Sequence, residues 1–126
     1  MHFPCNRTTG IRIPLADPQS RRVENRVAGM DCNPYLGIAA SLACGYLGLN
    51  NQNKPRAKFS GDAYAGDSDI PRGVGSALDN LDAALALQEV LGPEFARVYS
   101  IVKRAEYEEF LQVISPWERE HLLLNV

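Results

Sequence analysis

Thr8-Thr9-Gly10-Ile11-Arg12-Ile13-Pro14, followed after Leu15-Ala16-Asp17-Pro18-Gln19-Ser20 by Arg21-Arg22-Val23-Glu24-Asn25-Arg26-Val27, is the stretch whose reading decides the fold. The first segment is short, rich in β-branched residues and closed by a proline, as a strand end often is. The second alternates: Val23, Asn25 and Val27 fall on one face of a strand, Arg22, Glu24 and Arg26 on the other. The intervening six residues read as a turn or loop. Two strands joined this way predict an antiparallel hairpin with an unusually charged face.

Downstream of the hairpin the pattern becomes helical. Asn33 is a favourable N-cap and Pro34 suits the first helical position. Tyr35, Ile38, Ala39, Leu42 and Tyr46 follow at helical spacing, and Gly45 and Gly48 are expected to mark the closing turn. Small residues between them favour close packing on a neighbouring element. Residues 50–75 are loop-like and long for a compact domain, which suggests an excursion onto other parts of a larger molecule. Ser76, with Asp79 three residues on, is expected to open a second helix with Leu78, Leu81 and Leu85 as its apolar stripe, ending at Gly92-Pro93. A third helix is expected from about Glu94 to Val113, burying Phe95, Val98, Val102, Ala105 and Phe110 and exposing Glu106, Glu108 and Glu109. Ser115-Pro116-Trp117-Glu118 combines cap, proline and N3 glutamate and predicts one more helix start. The apolar tail Leu122–Val126 is expected to dock. The fold class is therefore α+β: an antiparallel hairpin followed by several packed helices.

Composition sets wide bounds. The chain is 126 residues long, 45% hydrophobic and 22% charged, ordinary for a soluble globular protein. No apolar run approaches the roughly 18 residues that would span a bilayer, and Met1–Cys5 lacks a signal peptide's basic start and apolar segment. The expectation is a cytoplasmic protein with no membrane partner. Cys5, Cys32 and Cys44 form neither a disulfide framework nor a zinc-ligand spacing and read as reduced, mostly packed thiols.

The net charge of −2 conceals an asymmetry. Residues 1–26 hold five arginines against Asp17 and Glu24, a balance of +3, which leaves −5 for the remainder. An anion-binding site explains such a concentration, and so does a nucleic-acid patch. Stacking on bases needs aromatic residues among the arginines, yet Phe3 is the only aromatic before Tyr35, so a nucleic-acid partner is not expected. Arg7, Arg12, Arg22, Glu24 and Arg26 are the candidate site. Guanidinium groups present a fixed fork of donors that matches phosphate oxygens. A glutamate between arginines has two readings: it neutralises its neighbours, or it ligates a hard cation such as Mg²⁺. From the pattern alone the ion-pair reading leads.

Asn6-Arg7-Thr8-Thr9-Gly10-Ile11-Arg12-Ile13-Pro14, Arg21-Arg22-Val23-Glu24-Asn25-Arg26 and Asn33-Pro34-Tyr35-Leu36, in this order and spacing, resemble the C-terminal half of the glutamine synthetase catalytic domain. The resemblance runs from about Asn6 to Val126 and leaves residues 1–5 as an unmatched start. Ile114-Ser115-Pro116-Trp117-Glu118-Arg119-Glu120-His121-Leu122 looks more like the γ-glutamylpolyamine (γ-glutamylputrescine) synthetase branch than the ammonia-using enzymes.

The resemblance implies an ATP-dependent ligase joining glutamate to ammonia or a polyamine, with Mg²⁺ or Mn²⁺ as cofactor and a homo-oligomer as the working assembly. It implies catalytic roles for Arg7, at the phosphoryl group in transfer, and Arg26, near the glutamate γ-carboxylate. Arg12 and Arg22 match arginines on the nucleotide phosphates, and Glu24 matches a metal ligand. The family's other metal ligands, its glutamate-binding residues and its small N-terminal domain lie upstream of the matching segment. Neither His2 nor His121 stands where its metal histidine is expected, and Asp67 and Asp69 read as a solvated loop. The expectation is a fragment inactive by itself, from a truncated gene or a start assigned inside or beside a disrupted frame; a non-catalytic remnant or oligomerisation module is the alternative. Tyr64 lies where some bacterial members carry a regulatory tyrosine, but Asp62–Asp67 does not reproduce that motif, and adenylylation is not expected.

Overall fold

The computed structural model describes residues 6–123. Residues 1–5, the start expected to be unmatched and His2 within it, and the last three residues of the tail lie outside the described residues. The α+β expectation holds: among the described residues a two-stranded antiparallel sheet is followed by five α-helices. The chain divides into two compact units, Met1–Ile70 and Pro71–Val126.

In the first unit, β1 (Ile11–Arg12) pairs antiparallel with β2 (Glu24–Asn25), Ile11 opposite Asn25 and Arg12 opposite Glu24. Gly10 continues the register by accepting the Arg26 N–H at 2.8 Å. The ladder is shorter than the sequence pattern suggests, for two local reasons. Pro14 has no N–H to donate beyond Ile13. At the other end the Asn25 side chain accepts the Val27 N–H at 3.0 Å, which turns that donor back on its own strand. The connection between the strands contains a 3-10 turn at Pro18–Ser20.

Helix α1 (Pro34–Asn50) begins as expected: Asn33 Oδ1 accepts from the N–H groups of Tyr35 and Leu36. It does not end at Gly45 or Gly48, because glycine costs a helix only about 1 kcal/mol and does not by itself stop one. The stop comes at Gln52, whose φ of +52° is left-handed. Gln52 N–H bonds to the Leu49 carbonyl and Asn53 N–H to the Gly48 carbonyl, the paired closure of a Schellman motif with glutamine where glycine is usual. The apolar stripe on α1 is present but open: Tyr35, Ile38, Leu42 and Tyr46 are all exposed, and Ala43 is the buried residue of this helix. Asn25 Nδ2 donates to Ser41 Oγ at 3.1 Å, so the uncharged face of the hairpin looks toward α1. Val23, Asn25, Ile38 and Leu42 line a wide apolar depression of about 1210 Å³ there. The long segment after α1 is irregular, with one 3-10 turn at Ala63–Ala65.

The second unit is helical. Helix α2 (Val74–Ala83) starts two residues before the expected Ser76, with Gly73 as a cap that supplies no side chain. Ser76 Oγ donates to the Gly73 carbonyl instead of accepting a backbone N–H, and Asp79 pairs with Arg104, so no capping box forms. The expected single helix breaks at Ala84, after which α3 (Leu85–Leu91) follows. Gln88 Nε2 donates to the carbonyls of Leu81 and Asp82, both at 2.8 Å, and supplies partners at the break. At Gly92, φ +97° turns the chain into α4 (Pro93–Leu111).

Helices α2 and α3 both pack on α4. The buried residues there are Leu78, Ala96 and Ser100. The expected face of α4 is thus displaced: Phe95, Val98 and Val102 are each nearly half exposed and Phe110 more so. Small side chains allow a close approach to α2, and that close packing determines which face is covered. Arg104 spans α4 to α2 by binding Asp79 at 2.9 Å and Asp82 at 2.6 Å.

Helix α5 (Pro116–His121) opens with the expected reciprocal cap. Ser115 Oγ accepts Glu118 N–H at 3.1 Å, and Glu118 Oε2 accepts Ser115 N–H at 2.7 Å. Leu122 and Leu123 are 49% and 60% exposed, so within the described residues the tail does not dock. No helix among the described residues is long and apolar enough to cross a membrane.

Candidate active site

The hairpin's period of two places Arg22, Glu24 and Arg26 on one side, and the antiparallel register adds Arg12 directly across from Glu24. All three arginines converge on that carboxylate. Arg12 Nη1 donates to Glu24 Oε2 at 2.8 Å, Arg22 reaches Oε1 at 3.2 Å, and Arg26 Nη2 stands 3.5 Å from Oε2. The side chains of Arg12, Glu24 and Arg26 are each about a quarter to a third exposed, while Arg22 is more open at 58%. The hydrogen bond from Arg12 holds the Glu24 carboxyl below its ordinary pKa, against the opposing effect of partial burial, and the fields of Arg12 and Arg22 add to the lowering.

Glu24 is therefore ionised at neutral pH, and three guanidiniums against one carboxylate leave the cluster at +2. Arg7 is exposed and stands outside the ion-pair cluster, between Asn6 and Thr8. The structure thus brings together four of the five candidate residues, and Arg7 lies on the segment leading into the hairpin. That segment is tied down: Arg26 Nη1 donates to the Asn6 carbonyl at 3.0 Å. The Asn6 and Thr8 side chains reach the distant loop at Gly61 and Ala63. Sequence pattern alone assigned these two residues no role, because their partners lie 55 positions away.

Forked cationic donors around a partly shielded centre fit the oxygens of a polyphosphate. A divalent cation fits less simply. Mg²⁺ takes one or two carboxylates together with substrate phosphates and water, and Glu24 can provide one such carboxylate. With three arginines against it, however, a bare cation is repelled until phosphate oxygens offset their charge. Asp69 is engaged by Arg56 at 3.1 Å on the surface. Among the described residues no group of three or more His, Cys, Asp or Glu side chains could hold a metal.

Comparison with known proteins identifies the family. Residues 4–122 match the family of the glutamine synthetase catalytic domain. The chain is 32% identical to a glutamine synthetase of Halobacterium salinarum, over 94% of this chain and 28% of that protein. It is 36% identical to the gamma-glutamylputrescine synthetase of Escherichia coli, over 95% and 26%, and 34% identical to a glutamate–isopropylamine ligase of a Pseudomonas species, over 90% and 26%. The chain spans about a quarter of the length of these relatives. The hairpin with its arginine-ringed carboxylate belongs, with the helices that follow it, to a protein of the glutamine synthetase family.

Proposed function

We propose that this chain supplies the phosphate-facing part of the active site of an ATP-dependent glutamate–amine ligase. The observation that supports this reading most is the convergence of Arg12, Arg22 and Arg26 on Glu24, on one face of a hairpin in a chain of this family. In the proposed reaction a γ-carboxylate oxygen of glutamate attacks the terminal phosphorus of ATP. The new O–P bond forms as the bond to ADP breaks. The amine nitrogen then attacks the γ-carbonyl carbon, phosphate leaves, and the nitrogen loses a proton.

Arg12 and Arg22 bind the nucleotide phosphates, and Arg7, exposed and outside the ion pairs, meets the phosphoryl group in transfer. Arg26 faces the γ-carboxylate end. Fixed guanidiniums act here mainly by positioning and by offsetting charge on the moving oxygens. Glu24 offers one ligand to Mg²⁺ or Mn²⁺, which when bound neutralises phosphate charge. Ammonia and a polyamine both stand as acceptors, since relatives named glutamine synthetase occur beside ones named for isopropylamine and putrescine.

Grafting residues 4–122 in place of the matching segment of the Halobacterium enzyme tests the reading. The chimera is expected to form γ-glutamyl hydroxamate from glutamate, hydroxylamine and ATP, and to lose that activity with Arg26→Ala. An assembled chimera without turnover would sink the proposal. The isolated chain is expected to show none.

A second reading rests on a separate observation, the exposed apolar stripe of α1. On this reading the chain is a non-catalytic interaction module, and it predicts that the grafted segment supports assembly but no turnover.

A further inference from the structure

Asn6 and Thr8 make more hydrogen bonds than a lead-in to a two-residue strand requires. The Asn6 backbone carbonyl accepts from Arg26 Nη1 at 3.0 Å. Its side-chain oxygen accepts from Thr8 N–H at 2.9 Å and Thr8 Oγ1–H at 2.7 Å, and its amide nitrogen donates to the Gly61 carbonyl at 2.9 Å. The Thr8 hydroxyl, its proton committed to Asn6, accepts the Ala63 N–H at 2.8 Å. A carbonyl only accepts and a backbone N–H only donates, so both the Asn6 amide orientation and the Thr8 proton direction are determined by their partners. Gly61 contributes its carbonyl from φ +115°, a conformation that side-chain-bearing residues rarely adopt.

These bonds form one path, from Gly61 and Ala63 through Thr8 and Asn6 to Arg26, and from Arg26 to Glu24. Arg26 depends on it more than its neighbours do. Its distance to Glu24 is 3.5 Å, against 2.8 Å for Arg12 and 3.2 Å for Arg22, so the Asn6 carbonyl is its shorter contact. Arg7 lies between the two anchored residues, its backbone fixed while its side chain reaches solvent.

We infer that Asn6 and Thr8 are positioning residues, which clamp the Arg7 segment to the Gly61–Ala63 loop and thereby set the Arg26 guanidinium. The inference deepens the phosphate-binding reading above and rests on it, since a placed guanidinium matters only if it meets an anion.

The test uses the whole 126-residue chain, with NMR signals of the Ala63 amide and the Arg26 Nε–H as structural readouts and tripolyphosphate as the probe. Thr8→Val removes the hydroxyl at nearly constant shape. It is expected to shift both signals and to weaken tripolyphosphate binding about 3- to 10-fold, the loss that goes with one hydrogen bond. Thr8→Ser is expected to restore both. An unchanged Arg26 signal and unchanged affinity in Thr8→Val would overturn the inference.

If the wild-type chain binds no tripolyphosphate, it is the phosphate reading that fails, and the Arg26 signal in Thr8→Val still decides the positioning role. If Thr8→Val loses its helical circular dichroism, Gly61→Ala repeats the test from the loop side. A Cβ there meets nothing within 4 Å, so only the backbone is perturbed. A displaced Arg26 signal supports the clamp, and an unmoved one refutes it.

Discussion

Replacing Glu24 by glutamine separates the two roles open to this carboxylate. Glu24 oxygens lie 2.8 to 3.5 Å from nitrogens of three arginines. An anion gripped by those guanidiniums would therefore sit about 4–6 Å from the carboxylate, within the Debye length of about 8 Å at physiological salt. At about that distance in a solvent-exposed setting, removing one unit of like charge changes an anion's affinity about fivefold. Without divalent metal, Glu24→Gln should thus bind ATP about fivefold more tightly than the wild type, because the cluster rises from +2 to +3. With Mg²⁺ present the sign should reverse, since the wild type gains a metal ligand that the variant lacks. Isothermal titration in EDTA and in Mg²⁺, at two salt concentrations, reads both arms. Weaker binding by the variant in EDTA would refute the reasoning, because it would mean that Glu24 serves the anion by orienting arginines rather than by opposing it.

Other consequences concern the scaffold. Leu78 on α2, which packs against α4, is 5% exposed, and truncating it leaves a cavity in the buried part of the second unit. Leu78→Ala should cost about 3 kcal/mol in urea unfolding, while Leu85→Ala, at a site 68% exposed, should cost under about 0.5 kcal/mol; equal shifts in midpoint would contradict the packing described. Gln52→Gly should stabilise the first unit by about 1 kcal/mol by removing the left-handed strain at φ +52°, with a raised melting temperature as the measure. Asp82 is held below its ordinary pKa chiefly by the hydrogen bond from Arg104, with Ser100 adding to it. A depressed carboxylate contributes stability above its unfolded pKa and loses it as pH falls through the folded value. Asp82→Asn should therefore destabilise at neutral pH and make the loss of stability below about pH 4 shallower; an unchanged acid limb would count against this pair.

How much of this was legible in the sequence depended on how local the cause was. The caps at Asn33 and Ser115 are settled within a few residues, and both formed as their patterns indicate. The alternation of Arg22, Glu24 and Arg26 was equally plain. That Arg12 joins them required the register, and Pro14 and the Asn25 turn set how far the ladder runs. The helix ends were less readable. Gly45 and Gly48 look like stops, yet the stop is a left-handed glutamine, and the break at Ala84 takes its partners from Gln88, four residues on. The buried face of α4 is not the one its large apolar residues mark: the packing with α2 covers Ala96 and Ser100 and leaves Phe95 and Val98 nearly half exposed. The Asn6–Gly61 and Thr8–Ala63 bonds join positions too far apart for any local pattern to show.

On the function proposed above, the hairpin's arginines receive the phosphates of ATP. Arginine Nε–H signals of the whole chain, followed as ATP and Mg²⁺ are added, test it most directly. Weak saturable binding is expected, with a dissociation constant on the order of millimolar, shifts at Arg12, Arg22 and Arg26, and at least about tenfold loss in the double variant Arg12→Ala, Arg22→Ala. Arginine signals that stay in place, or shifts that survive the double variant, would contradict it.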